Sequence, residues 1–184
     1  NLTAAAADQA LVYPEGAVDF VAYYPYTASV TENKVAVDVK NQTKPEAIDL
    51  LYSNNATNVT ASANAVNLGF KHQLATVRLN ISAQGIASTA GLTATLKGSK
   101  TAGSFNLADG SLAVTDASAA DIAFTVNAAG TQAEAIVLPQ NATGAKVQFT
   151  LNGKTIEAAL PASATTWAAG NRYAVTVNLK GEST

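Results

Sequence analysis

VQFTLNGKTIEAAL, residues 147–160, admits two incompatible readings. The tetrapeptide NGKT at 152–155 resembles the tail of a phosphate-binding loop, which would make the chain an α/β nucleotide binder. That loop needs a glycine five positions ahead of Gly153, where Gln148 stands, and a helix after it. Instead, apolar residues alternate on both sides: Val147, Phe149 and Leu151, then Ile156, Ala158 and Leu160. Asn-Gly is the preferred pair for a type I′ turn because both central residues take φ > 0. The stretch is predicted to be a β-hairpin, with no phosphate site.

The same period of two extends outward through the chain. It is carried by Val35, Val37 and Val39; Leu92, Ala94 and Leu96; Phe105 and Leu107; and Ile122, Phe124 and Val126. It continues in Ile136 and Leu138, and in Tyr173, Val175, Val177 and Leu179. Turn-forming clusters such as TENK, LADG, PQNATG and AAGN separate these runs. Helix is confined to a short turn in TKPEAIDLLY; the Ala-rich start NLTAAAADQA could coil but lacks an amphipathic face. Many short strands at regular spacing predict an all-β antiparallel sandwich.

In VNLGFKHQLATVRLNI, residues 66–81, Leu68, Phe70 and Leu74 fall on even positions and Val77, Leu79 and Ile81 on odd ones. A phase change inside a strand needs an extra residue, so a bulge or bend is predicted near Ala75–Thr76. Such bent strands often cross from one sheet of a sandwich to the other. The polar segment SNNATNVTASANA, 53–65, marks a boundary. Residues 1–60 then form a partial N-terminal sandwich short of its opening strands, and 61–184 a complete C-terminal one.

Composition narrows the function. Among 184 residues 48% are hydrophobic and only 13% charged, so a core is affordable and a disordered tail is not implied. The net charge is −2, with no basic stripe, which argues against nucleic acid. Cysteine is absent, removing disulfides, thiolate chemistry and zinc knuckles. Methionine is absent too, so the chain reads as processed or excised from a longer one. No apolar run approaches the ~18 residues of a membrane span, and no signal peptide is visible.

Catalytic constellations are not legible, and no catalytic, metal or cofactor residue is assigned. His72 is the only histidine, without a partner at metal-ligand spacing, and reads as a hydrogen-bonded polar member of a strand. Six N-x-[ST] triplets, at Asn1, Asn41, Asn55, Asn58, Asn80 and Asn141, are expected from an Asn- and Thr-rich composition. AVDFVAYYPY, 17–26, concentrates four rings in seven positions. Val18, Phe20, Ala22 and Tyr24 alternate with Asp19, Val21, Tyr23 and Pro25, so the strand is expected to be covered on both faces and its rings to pack rather than grip. Trp167 is expected to close one end of the sandwich.

GAVDFVAYYPY, IDLLYS, VNLGFKHQLATVRLNI, IVLPQ and WAAGNRYAVTVNL occur in this order, from about Tyr13 to Leu179. As an ordered set they resemble the fimbrillin-like proteins of the Bacteroidetes, which build type V pili. The resemblance implies Greek-key, transthyretin-like sandwiches, exported as lipoproteins and assembled at the outer-membrane surface. It implies partners that are other fimbrial subunits, joined when a neighbour's strand fills a groove opened by proteolysis, with no cofactor. Relative to that family the sequence lacks the lipidated Cys and the strands ahead of Tyr13, and a further apolar segment after Leu179, so the donor strand is unassigned. The expected function is a non-catalytic fimbrial subunit or fimbria-associated adhesin. The alternative is a surface module binding carbohydrate or a host ligand through loop aromatics such as Tyr24, Tyr26 or Trp167.

Overall fold

The computed structural model describes residues 6, 14–61 and 65–181, and in them the chain is built from strands and three short 3-10 turns. Two pairs of sheets carry the fold. In the first pair, β1 (Val18–Tyr24), β4 (Leu51–Val59) and β5 (Lys71–His72) lie in that order. They face β2 (Val30–Thr31), β3 (Lys34–Asp38), β8 (Ala102–Asn106) and β9 (Leu112–Val114). Tyr52 and Phe105 join the two layers, their rings edge to face at 5.0 Å, and the Tyr52 hydroxyl donates to the Leu107 carbonyl at 2.7 Å.

The second pair sets β11 (Thr125–Val126), β12 (Gln132–Val137), β6 (Ala75–Gln84) and β17 (Arg172–Lys180) in one sheet. The other holds β10 (Ala119–Ala123), β7 (Thr93–Lys100), β14 (Lys146–Leu151) and β15 (Lys154–Ala159). Between them, fully buried Val77, Leu79 and Val137 meet Leu96, Ile122, Val147 and Phe149. A two-stranded ribbon of β13 (Gln140–Asn141) and β16 (Thr166–Trp167) completes the strands. The class read from the alternation, an all-β sandwich, is the observed one. All strand pairs are antiparallel except β6 with β17. That pair can be parallel because nearly ninety residues of chain separate the two strands, ample for a crossover.

Strands from both sides of residue 60 share a sheet, since β3 pairs with β8 from Lys34↔Asn106 to Asp38↔Ala102. The division expected between residues 60 and 61 therefore does not coincide with the pairing. Nor is 53–65 simply a polar connection, for β4 runs through Val59 with Ser53 and Ala56 buried. Two register shifts against β1 accommodate it, and Asn58 sits at φ 53 with its N–H bonded to Asp19 at 2.8 Å.

The phase change in 66–81 is real and lies one residue earlier than expected. Leu74 and Ala75 are buried consecutively, Gln73 still bonds to Leu50 in the first pair of sheets, and Thr76 bonds to Asn171 in the second. The chain crosses between sheets there. Phe70, on the apolar phase of the sequence, ends up exposed.

One further phase differs. In β12 the buried residues are Ala133, Ala135 and Val137, while Ile136 turns half-buried to the opposite face. β11 pairs only with Ala133 and Glu134, so beyond it Ile136 needs another backbone partner. Gln42, itself buried, supplies one: its Oε1 accepts from the Ile136 N–H and its Nε2 donates to the Ile136 carbonyl, both at 2.9 Å. Gln140 does the same for Lys100, at 2.9 and 2.8 Å. Each side-chain amide stands in for the peptide group of an absent neighbouring strand.

The Asn152-Gly153 hairpin forms as read, with φ 51 and 76 and Leu151 opposite Lys154. Its second arm does not behave as a core strand, however: every residue of β15 is exposed, Ile156 and Ala158 included, and only Leu160 beyond it is buried. The short turn in TKPEAIDLLY appears as a 3-10 turn at Pro45–Ala47. The Ala-rich opening, Ala6 apart, lies outside the described residues. No helix among those described is long and apolar enough to cross a membrane.

Candidate functional site: an open sandwich edge

The exposure of β15 and the position of β17 have one cause. Among the described residues β15 ends one sheet and β17 ends the sheet packed on it, so that side of the C-terminal sandwich is open in them. Inner-facing Tyr173, Val175 and Val177 are only half-buried, although their partners on β6, Val77, Leu79 and Ile81, are buried. Apolar side chains pointing into a sandwich stay partly wet only where no neighbour covers them.

The backbone of β17 likewise meets no neighbouring strand on that side among the described residues. In a parallel ladder, alternate residues turn both their N–H and C=O toward the same neighbour. The bonds Thr76 N–H to Asn171 and Gly181 N–H to Gln84 set the phase, so Tyr173, Val175, Val177 and Leu179 bond to β6. Ala174, Thr176 and Asn178 then present donors and acceptors outward, without a neighbouring strand among the described residues. A groove of about 350 Å³ runs beside this edge, with a largely apolar floor of Ile86, Leu92, Phe149, Leu151, Ile156 and Leu179. Gly85 and Gly181 close its end by backbone contact: a Cβ on Gly181 would lie 2.4 Å from the Gly85 carbonyl oxygen. Apolar floor plus free ladder groups is the surface that an added strand satisfies.

A second opening lies beside β1, which among the described residues pairs only with β4, and above β3, which β2 covers over two residues. A hollow of about 400 Å³ there is lined by Pro25, Tyr26, Val35, Val37, Ile48 and Leu50. The aromatic cluster of 17–26 divides around it. Tyr23 packs against the core and donates to the Thr27 carbonyl at 3.0 Å, and Phe20 is half-buried. Val21 and Tyr24 remain nearly half exposed and Tyr26 is 82% exposed, so the strand is not covered on both faces.

The remaining singled-out residues are placed without ambiguity. Trp167 is buried, its Nε1 donating to the Ala164 carbonyl at 2.8 Å, so it closes the sandwich and offers no face to a ligand. His72 lies on the surface of β5, paired through Nδ1 to the Asp49 carboxylate at 2.8 Å. The hollow beside that pair is lined by Leu74, Ala75, Thr76, Gly170, Asn171 and Arg172. Sequence reasoning passed over the open edge because alternation looks alike in covered and uncovered strands. One signal was present: Lys154 shares the apolar phase of Ile156 and Ala158, as edge strands often arrange.

Comparison with known proteins agrees with this architecture. The family model described as fimbrillin-like matches residues 1–184. A Bacteroides uniformis protein named "Putative fimbrium subunit Fim1C" is 31% identical over 189 residues, covering 95% of this chain. The chain spans 62% of that relative's length. A crystal structure of a "putative cell adhesion protein" from Bacteroides uniformis superposes with a TM-score of 0.85 at 28% identity, covering 95% of this chain and 73% of the other. Another so described, from Bacteroides ovatus, shares the fold with a TM-score of 0.72 at 23% identity, covering 96% and 68%. The chain belongs to the fimbrillin-like family.

Proposed function

We propose that this protein is a non-catalytic subunit of a surface fimbria, or an adhesin attached to one, and that it joins other subunits by strand addition. The observation that carries the proposal is the open side of the C-terminal sandwich. There, Ala174, Thr176 and Asn178 of β17 turn backbone groups outward, with no neighbouring strand among the described residues, above the apolar groove between β17 and β15. An extended segment from a neighbouring subunit would pair with Ala174, Thr176 and Asn178 and cover Val175, Val177 and Ile156. Both gains come from one contact, which is why strand addition makes strong joints between β-proteins. Family membership and the names of the relatives support the fimbrial or adhesive role and a place at the cell surface.

The test is association. Sedimentation velocity over a range of concentrations, with and without peptides copying the chain's own edge strands, should show growing oligomers or peptide capture. A strictly monomeric protein that ignores every such peptide would count against strand addition.

A second reading, recognition of a carbohydrate or host ligand, rests on Tyr26, a residue 82% exposed that lines the hollow beside β1. Stacking on a sugar face needs such a ring. A glycan array comparing wild type with Tyr26→Ala separates the readings: a pure assembly subunit binds nothing and loses nothing.

A further inference from the structure

Where the two pairs of sheets meet, two hollows adjoin. One of about 280 Å³ lies beside the Asp49–His72 pair, and one of about 370 Å³ runs along β11 and β12. Thr76 and Arg172 line both. The register explains why. Thr76 turns away from the core, because Ala75 and Val77 beside it are buried, and it stands opposite Ile136 on one side and Arg172 on the other. Ile136, Thr76 and Arg172 therefore form one row across the outer face of the sheet. The base of that row is fixed. Gly170, at φ 74, donates its N–H to the Leu74 carbonyl at 2.8 Å, and the Asn171 carbonyl accepts from the Thr76 N–H at 3.0 Å.

Charge singles out Arg172. Of the carboxylates that border the hollows, Asp49 is paired with His72 at 2.8 Å and Glu134 with Arg78 at 3.5 Å. Arg172 is exposed and has no ion pair among the described residues. The side chains of Thr76 and Asn171 make no hydrogen bond among those residues either. A guanidinium, a hydroxyl and an amide thus stand on a fixed base beside half-buried Ile136, a few polar groups converging on an apolar spot.

We infer that this junction binds a single carboxylate carried on a hydroxylated ring, the chemistry of a uronic or sialic acid residue of a glycan. The site shares no lining residue with the groove at the open edge or with the hollow beside Tyr26, and it does not depend on strand addition. The planar fork of Arg172 meets both carboxylate oxygens at once. Thr76 and Asn171 bond to ring hydroxyls, and Ile136 and Pro45 offer apolar surface to the C–H face of the ring. A phosphate fits less well, since its second negative charge would face Asp49 and Glu134 without a cation of its own.

The test titrates the full chain with the methyl glycosides of N-acetylneuraminic acid and galacturonic acid, the methyl ester of each, and inorganic phosphate, by calorimetry or ligand-observed NMR. At least one acid is expected to bind about tenfold or more tightly than its ester, the worth of one charge-assisted pair. Which acid binds distinguishes a sialic from a uronic source. Arg172→Ala should bind the acid no better than wild type binds the ester, and Arg172→Lys, which keeps the charge without the fork, should fall between. Thr76→Val should weaken acid and ester by the same factor, because the hydroxyl meets the ring. Arg172 is exposed, so its variants should keep the wild-type melting curve, which is checked first. Tyr26→Ala should bind the acid as wild type does. Equal binding of acid and ester, an acid preference that survives Arg172→Ala, or phosphate bound as tightly as the acid would each overturn the assignment. So would the failure of every probe to bind at ~10 mM.

Discussion

Substituting proline at adjacent positions of β17 separates the strand's two edges. Thr176 turns its N–H to the open side, whereas Val177 turns its N–H to β6. Thr176→Pro removes no bond of the native ladder, and proline is tolerated on an outward edge position. Its folding cost is confined to narrowing φ from the sheet value, about 1 kcal/mol. Val177→Pro removes a bond to β6 and drives the ring into that strand, costing about 3 kcal/mol or more. For assembly the order reverses. An incoming strand would lose the Thr176 donor and meet the proline ring where its carbonyl should sit, forfeiting about two bonds at ~0.5–1.5 kcal/mol each. Association of Thr176→Pro should therefore weaken by roughly 5- to 150-fold at nearly unchanged urea midpoint. Sedimentation velocity and urea denaturation on the three proteins measure both quantities. Wild-type association by Thr176→Pro, or its unfolding alongside Val177→Pro, would refute the assignment of the free edge.

Three other outcomes are expected. Phe105→Ala, which empties a fully buried ring site against Tyr52, should cost about 3–5 kcal/mol by urea denaturation. Gln42→Glu sets a buried carboxylate against the Ile136 and Val39 carbonyls, raising its folded pKa above the ordinary glutamate range. The variant should be closest to wild type near pH ~4 and lose stability as pH rises through the raised value, seen as a falling urea midpoint toward pH ~7. Burial raises the Tyr52 hydroxyl above 10.0, so the unfolded chain ionises first and the stabilisation is lost as pH climbs beyond that. Tyr52→Phe should lose about 1 kcal/mol at neutral pH with its bond to Leu107, and show a shallower alkaline decline in thermal-melting temperature than wild type.

The family relationship explains why the ordered core and turn segments were more informative than any single residue. GAVDFVAYYPY, VNLGFKHQLATVRLNI and WAAGNRYAVTVNL supply strands and turns of the sheets, features that speak for a shared fold and not for a shared ligand. The buried indole of Trp167 makes the point, because an aromatic residue that invites a binding role proves to be a lid. Tyr23 and Tyr26, three residues apart, end in opposite environments.

Local information was sufficient for the strand class and for the 152–153 turn. Side-chain period and the φ preference of Asn-Gly act within a few residues, so Val35–Val39, Leu92–Leu96 and 147–151 lie where alternation puts them. Tertiary structure alone decided that β8 and β9 serve the first pair of sheets, that β17 enters parallel to β6, and that Gln42 and Gln140 complete two ladders. It also decided that β15 and β17 are edges: Ile156 and Leu79 belong to equally regular alternations, yet one is 52% exposed and the other fully buried. The reason is that alternation specifies which way a side chain points, whereas the presence of a neighbour there depends on residues far away along the chain.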